Sequence, residues 1–180
     1  DKYFVSLEKK SKLKNKQKNK QNGVNGECQL TRALDAGAGI GRVTKHLLSK
    51  YFDVVDLLEQ NDKFLAESKN YIGDEGWARV GQTICCSLQD FVPNSDVKYD
   101  CIWLQWVTGH LTDDDFVDFL VRCKAVLKPN GILVVKDNVS SSDEIDDDHN
   151  DSSITRPQHL FENIFKRAEF VILKDKRQYK

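Results

Sequence analysis

Asp35-Ala36-Gly37-Ala38-Gly39-Ile40-Gly41 is the stretch that decides how this 180-residue chain is read. An apolar run, Leu30 to Asp35, precedes it, and an amphipathic stretch, Val43 to Tyr51, follows. It therefore joins a strand to a helix. Glycines at such a junction let the backbone approach a ligand closely, at the edge of a parallel sheet where folds of this kind bind cofactors.

Outward from that loop the pattern repeats. Val54 to Glu59 reads as a second strand, Asp62 to Tyr71 as a helix closed by Gly73 and Gly76, Gln82 to Ser87 as a third strand and Asp100 to Gln105 as a fourth. Thr112, with Asp115 three residues on, has capping-box spacing, and Phe116, Phe119, Leu120, Cys123 and Leu127 form one apolar stripe behind it. Pro129-Asn130-Gly131 then breaks the helix ahead of a fifth strand, Ile132 to Val135. Pro157 opens a last helix running to about Ala168, and Phe170 to Leu173 is a sixth strand. Strands alternating with helices predict an α/β, Rossmann-like three-layer sandwich.

The formal net charge of −1 conceals two opposite segments. Residues 1–22 carry eight lysines against Asp1 and Glu8, so the remainder is net −7. Residues 137–151 hold seven acids and no Lys or Arg. Residues 1–28 are read as a basic, low-complexity, mobile arm, and residues 29–180 as the folded domain. The arm lacks the interleaved aromatics that stack on bases, so a nucleic-acid partner is not expected. No apolar run approaches the ~20 residues of a membrane span. Five cysteines without a C-x-x-C pair point away from a disulfide framework or a zinc site and toward an intracellular setting, cytoplasm or nucleus. His46, His149 and His159 lack ligand spacing, so no metal is expected. The chain contains no Met, which reads as a fragment or processed product.

Glu59, at the end of the second strand, is placed to accept both ribose hydroxyls of an adenosine. The loop spacing is G-x-G-x-G rather than the dinucleotide G-x-G-x-x-G, and Arg42 at the helix start suits a carboxylate. An adenosyl ligand with a sulfonium and an amino-acid tail, S-adenosylmethionine (AdoMet), fits these features. The plainer alternative is a tight turn beside a surface glutamate.

Leu34 to Lys45, Ser87-Leu88-Gln89-Asp90-Phe91, Ile102 to Thr112 with its Gln105-Trp106 pair, Lys136-Asp137-Asn138 and Asp148 to Arg156 together resemble the protein α-N-terminal methyltransferases. These methylate the α-amine of proteins beginning Xaa-Pro-Lys, and the likeness covers about residues 30–175. It implies a class I methyltransferase domain with AdoMet as cofactor and free Xaa-Pro-Lys N-termini as substrate. Gly37, Gly39, Gly41, Arg42, Glu59, Leu88 and Gln105 would hold the cofactor, with Gln89 near the adenine. Trp106 would wall the substrate proline, Asn138 would bond the peptide backbone, and Asp148 and Ser153 would receive the lysine. Asp151 and His110 would be the bases. The alternatives are a non-catalytic AdoMet- or partner-binding subunit and a small-molecule methyltransferase.

The family has an N-terminal lid and a seventh, antiparallel strand between the fifth and sixth. Neither is legible here, so the domain is expected to be C-terminally incomplete and, as it stands, poorly stable or inactive. Trp103 is expected in the core, facing away from the neighbours of Gln105, and Cys85-Cys86 as buried strand filler. His110 could instead be a satisfied core or helix-cap histidine, and Asp143, Glu144, Asp146 and Asp147 are read as solvated.

Overall fold

The computed structural model describes residues 2–9 and 31–178. Its strands are β1 Lys2–Lys9, β2 Arg32–Ala36, β3 Val54–Glu59, β4 Val80–Cys85, β5 Tyr99–Gln105, β6 Leu127–Asn138, β7 Asp146–Asp148, β8 Ser153–Thr155 and β9 Phe170–Gln178. A π-helical turn, Thr44–Leu48, leads into α1, Ser49–Tyr51. The other helices are α2 Asp62–Ile72, α3 Asp74–Trp77, α4 Asp113–Val126 and α5 Gln158–Arg167. Thr112 caps α4 by accepting from the Asp115 amide at 3.1 Å, as its spacing predicts.

The central sheet has seven strands in the order β4-β3-β2-β5-β6-β1-β9, and β7 and β8 form a separate hairpin. The missing-strand expectation is thereby corrected. β1 lies antiparallel between β6 and β9, pairing Val5 with Val135 on one side and with Asp175 on the other. The chain's N-terminal segment supplies the seventh strand. Val5 and Leu7 are fully buried. Residues 1–28 are therefore not all arm; residues 10–28, with the lysine run, lie outside the described residues. Since the sheet has no gap, the poor stability inferred from one loses its basis.

Adjacent residues of one strand point to opposite faces, and the core divides accordingly. Leu34, Ile102, Leu133 and Val135 join Val5 and Leu7 under Phe116, Phe119, Leu120, Phe161 and Phe165 of α4 and α5. Ala33, Cys101 and Val134 face the other way, against Leu48 and the half-buried Val43 and Leu47. Ala38 and Leu57 meet Ile72 of α2. The result is helix, sheet and helix in three layers.

Pro129-Asn130-Gly131 falls inside β6 rather than before it. The β5–β6 register shifts between Tyr99 and Cys101, and Gly131 passes the Tyr99 carbonyl so closely that a Cβ would lie 2.7 Å from it. Trp103 is half-buried, not core, and donates to Gln105 Oε1 at 3.3 Å. Cys85 is exposed and Cys86 half-buried, so neither is buried filler. Strand β4 lies at the sheet's edge and has most of its residues exposed.

Candidate active site

The glycine loop is shaped by backbone bonds to the neighbouring strand. The amides of Gly37 and Ala38 both donate to the Leu58 carbonyl, at 2.8 and 3.0 Å. Gly37, Gly39 and Gly41 all have positive φ, a conformation that side chains resist. Gly37 and Gly41 also lie against other residues: a Cβ would fall 2.6 Å from Val107 Cγ2 at the first and 2.4 Å from Ile72 Cδ1 at the second. At Gly39 a Cβ would meet nothing within 4 Å. Glu59 Oε2 accepts the Gly39 amide at 2.9 Å, and Oε1 accepts the Asn61 amide at 2.9 Å. The carboxylate is thus tied to the loop on one oxygen and to the start of α2 on the other.

A cavity of about 310 Å³ opens where β2, β3 and β5 end. Its lining includes Gly37, Gly39, Glu59, Leu88, Gln89, Trp106, Val107 and His110. Of the residues expected to hold a cofactor, Gly37, Gly39, Glu59, Leu88 and Gln89 meet here. Gly41 lies outside the lining and packs on Ile72. Arg42 and Gln105 line a second cavity with His46, Trp103 and Lys136. The Arg42 guanidinium lies 4.4 Å from the Trp106 ring centroid, so the two cavities meet at this stack. Trp106 itself has φ +56°, a strained backbone of the kind that re-aims a side chain at a site.

On the side expected to hold substrate, only Trp106 and His110 enter the cavity wall. Asn138 ends β6, exposed, with its amide donating to the Asp137 carboxylate at 2.8 Å. Asp148 and Ser153 face each other across the β7–β8 hairpin, so the acidic loop is structured rather than open. That hairpin leans on the His110 turn, where a Cβ at Gly109 would fall 3.3 Å from the Ser153 Cβ. Asp151 stands between the two strands, its Oδ1 accepting the Ser153 amide at 3.0 Å. Hydrogen bonds from Ser153 hold the Asp151 carboxyl below its usual range, and the nearby His110 charge adds to this.

Several supporting residues were not picked out as site residues. Asp35, under the loop, and Asp137, under the His110 turn, are both buried. Each accepts from the amide and hydroxyl of one threonine, Thr44 and Thr108 respectively. Leu58, Gln60, Phe64, Cys86 and Leu111 complete the cavity wall. Arg156 is buried beneath the His110 turn. Its sequence signal is its isolation: it follows a long acidic stretch without a cation and directly precedes Pro157. Among the described residues, no cluster of His, Cys, Asp and Glu could hold a metal.

Comparison with known proteins agrees with this geometry. The model of a family described as AdoMet dependent proline di-methyltransferase matches residues 7–180. N-terminal Xaa-Pro-Lys N-methyltransferase 1 of Xenopus tropicalis is 51% identical over 146 residues, covering 81% of this chain and 64% of that protein. The protein of the same name from Homo sapiens is 49% identical over the same shares. A solved SAM-dependent methyltransferase from Leishmania major superposes with a TM-score of 0.74 at 38% identity, covering 81% of this chain and 57% of that one. The chain spans just under two thirds of the length of the curated relatives it matches.

Proposed function

The chain belongs to the AdoMet-dependent proline di-methyltransferase family, and from that premise we propose that it methylates the α-amine of proteins beginning Xaa-Pro-Lys. The observation that carries the reading is the cavity itself. The glycine loop, with Glu59 bonded to the Gly39 amide, and Trp106 and His110 line one and the same cavity.

The residues fit the cofactor. Gly39 is open to a close backbone approach, and the Glu59 carboxylate, bonded to the Gly39 amide, would accept a pair of ribose hydroxyls. Leu88 and Gln89 would flank the adenine, and Arg42 would meet the carboxylate of the amino-acid tail. When bound, AdoMet supplies an electrophilic methyl group on a sulfonium. The chain's own task is to deliver a neutral amine in line and to keep water away.

An α-amine has a pKa of about 7.7–8.0 and is mostly protonated at neutral pH. His110 lines the cavity and would take that proton. Asp151 has a different part. With its carboxyl held below the usual range by Ser153, it is a poor proton acceptor and a lasting negative charge. It attracts the ammonium. Trp106 offers a flat wall to a proline ring, and Asp148 and Ser153 offer acceptors to a lysine.

We place the protein in a reducing compartment, cytoplasm or nucleus, a reading supported by the free thiols of Cys85, Cys86, Cys101 and Cys123. Calorimetric titration with AdoMet tests the cofactor half of the proposal. Saturable binding that weakens at least about tenfold in Glu59→Ala supports it, since bonds to a charged group are worth about 1.5–3 kcal/mol. Equal binding by the variant contradicts it.

A further inference from the structure

We infer that Arg156 is a positioning residue for the reaction, locking the turn that carries His110 to the hairpin that carries Asp151; this rests on the α-amine methyltransferase reading above. Arg156 is among the largest fully buried side chains of the described residues, at 1% exposure. Its guanidinium donates in three directions. Nη1 reaches the Thr108 carbonyl at 2.8 Å, Nη2 the Leu111 carbonyl at 2.5 Å and Nε the Asp113 carboxylate at 2.7 Å. The two carbonyls bracket His110. The third contact ties the same fork to the first turn of α4, over the Phe116 ring, whose centroid is 5.9 Å away.

Thr108 is consequently held on all its polar groups. Its carbonyl accepts from Arg156, while its amide and hydroxyl both donate to Asp137 Oδ2, at 3.0 and 2.6 Å. On the hairpin side, Arg156 immediately follows β8, and its carbonyl accepts the Ser140 amide at 3.0 Å. That single bond closes the base of the excursion made by residues 141–155. The turn and the hairpin also touch directly, since a Cβ at Gly109 would lie 2.7 Å from the Ile154 carbonyl oxygen. His110 and Asp151 therefore sit on two segments that touch at Gly109 and Ile154 and are tied together by the Arg156 side chain. Charge alone does not provide this. A lysine ammonium is a compact point donor and cannot span the three acceptors in the plane that the guanidinium serves.

The test uses Arg156→Lys and, as a milder variant, Asp113→Asn, which leaves both carbonyl bonds in place. Amide hydrogen exchange is read at residues 109–111 and 146–155, alongside AdoMet affinity and kinetics on a Ser-Pro-Lys peptide. In Arg156→Lys, exchange is expected to rise in both segments together. AdoMet affinity should stay within about twofold while kcat falls by about tenfold or more, because a misplaced catalytic group costs rate rather than cofactor binding. Asp113→Asn should fall between wild type and Arg156→Lys. Unchanged exchange in both variants overturns the inference, as does a loss of AdoMet affinity in proportion to kcat. If the wild-type protein binds AdoMet but transfers no methyl group, the functional reading fails, and the inference falls with it whatever the exchange shows.

Discussion

The buried carboxylate of Asp35 accepts both the amide of Thr44, at 3.1 Å, and its hydroxyl, at 2.7 Å. This contact ties the strand before the glycine loop to the helical turn after it, and so sets the loop's span. The arrangement has an electrostatic cost. Burial pushes the Asp35 carboxyl up to about 6, against the two Thr44 bonds, which pull it down.

The sign of the pH dependence follows from that shift. Between an ordinary value near 4 and about 6, the native state holds a proton that the unfolded chain has released, so this group's contribution to stability falls as pH rises. Asp35→Asn removes the titration. Its stability relative to wild type is expected to improve by roughly 2–3 kcal/mol between pH 4 and pH 6.5. Denaturant melts across this range measure it, and parallel curves contradict it.

Gly37 packs under Val107, and its φ of +75° adds a backbone constraint. Gly37→Ala is expected to cost about 2–4 kcal/mol, combining overpacking with the left-handed conformation. Adding Val107→Ala should recover the steric part alone. A double variant no more stable than Gly37→Ala would contradict the packing argument.

β1 makes a prediction that a free arm does not. Leu7, fully buried between β6 and β9, should cost about 2–5 kcal/mol when truncated to alanine. Thermal unfolding checks this. An unchanged melting temperature would mean that the N-terminal segment does not complete the sheet in solution.

The roles proposed for His110 and Asp151 are separable by experiment. His110→Ala should lower kcat by roughly 100-fold with AdoMet affinity unchanged, the usual size of a lost general base. Asp151→Asn keeps the geometry and removes the charge, so it should raise the KM for a peptide with a charged N-terminus as well as lowering kcat. Steady-state kinetics on both variants separate these effects. Equal kcat and KM changes in the two would merge the roles.

How far the sequence carries depends on the range of the interactions. The glycine loop, Glu59 and the Thr112 cap are local patterns, and the structure places them as their spacing predicts. Strand β1 is not legible as a strand because its alternating Tyr3, Val5 and Leu7 lead into a lysine run, and only pairing with β6 and β9 reveals its place. The Arg156 fork escaped for a related reason. Its acceptors lie 43 to 48 residues away, and two of them are backbone carbonyls, which carry no signature in side-chain chemistry. For Trp103, strand alternation gives the face but not the depth of cover, and the side chain is half-buried.

The central claim is that the methylated atom is the α-nitrogen of a protein N-terminus. Labelled methyl transfer from AdoMet to a peptide beginning Ser-Pro-Lys, compared with the same peptide acetylated at its α-amine, tests it most directly. The account predicts label on the free peptide and none on the acetylated one. Equal labelling of the two, or binding of AdoMet with transfer to neither, would contradict it.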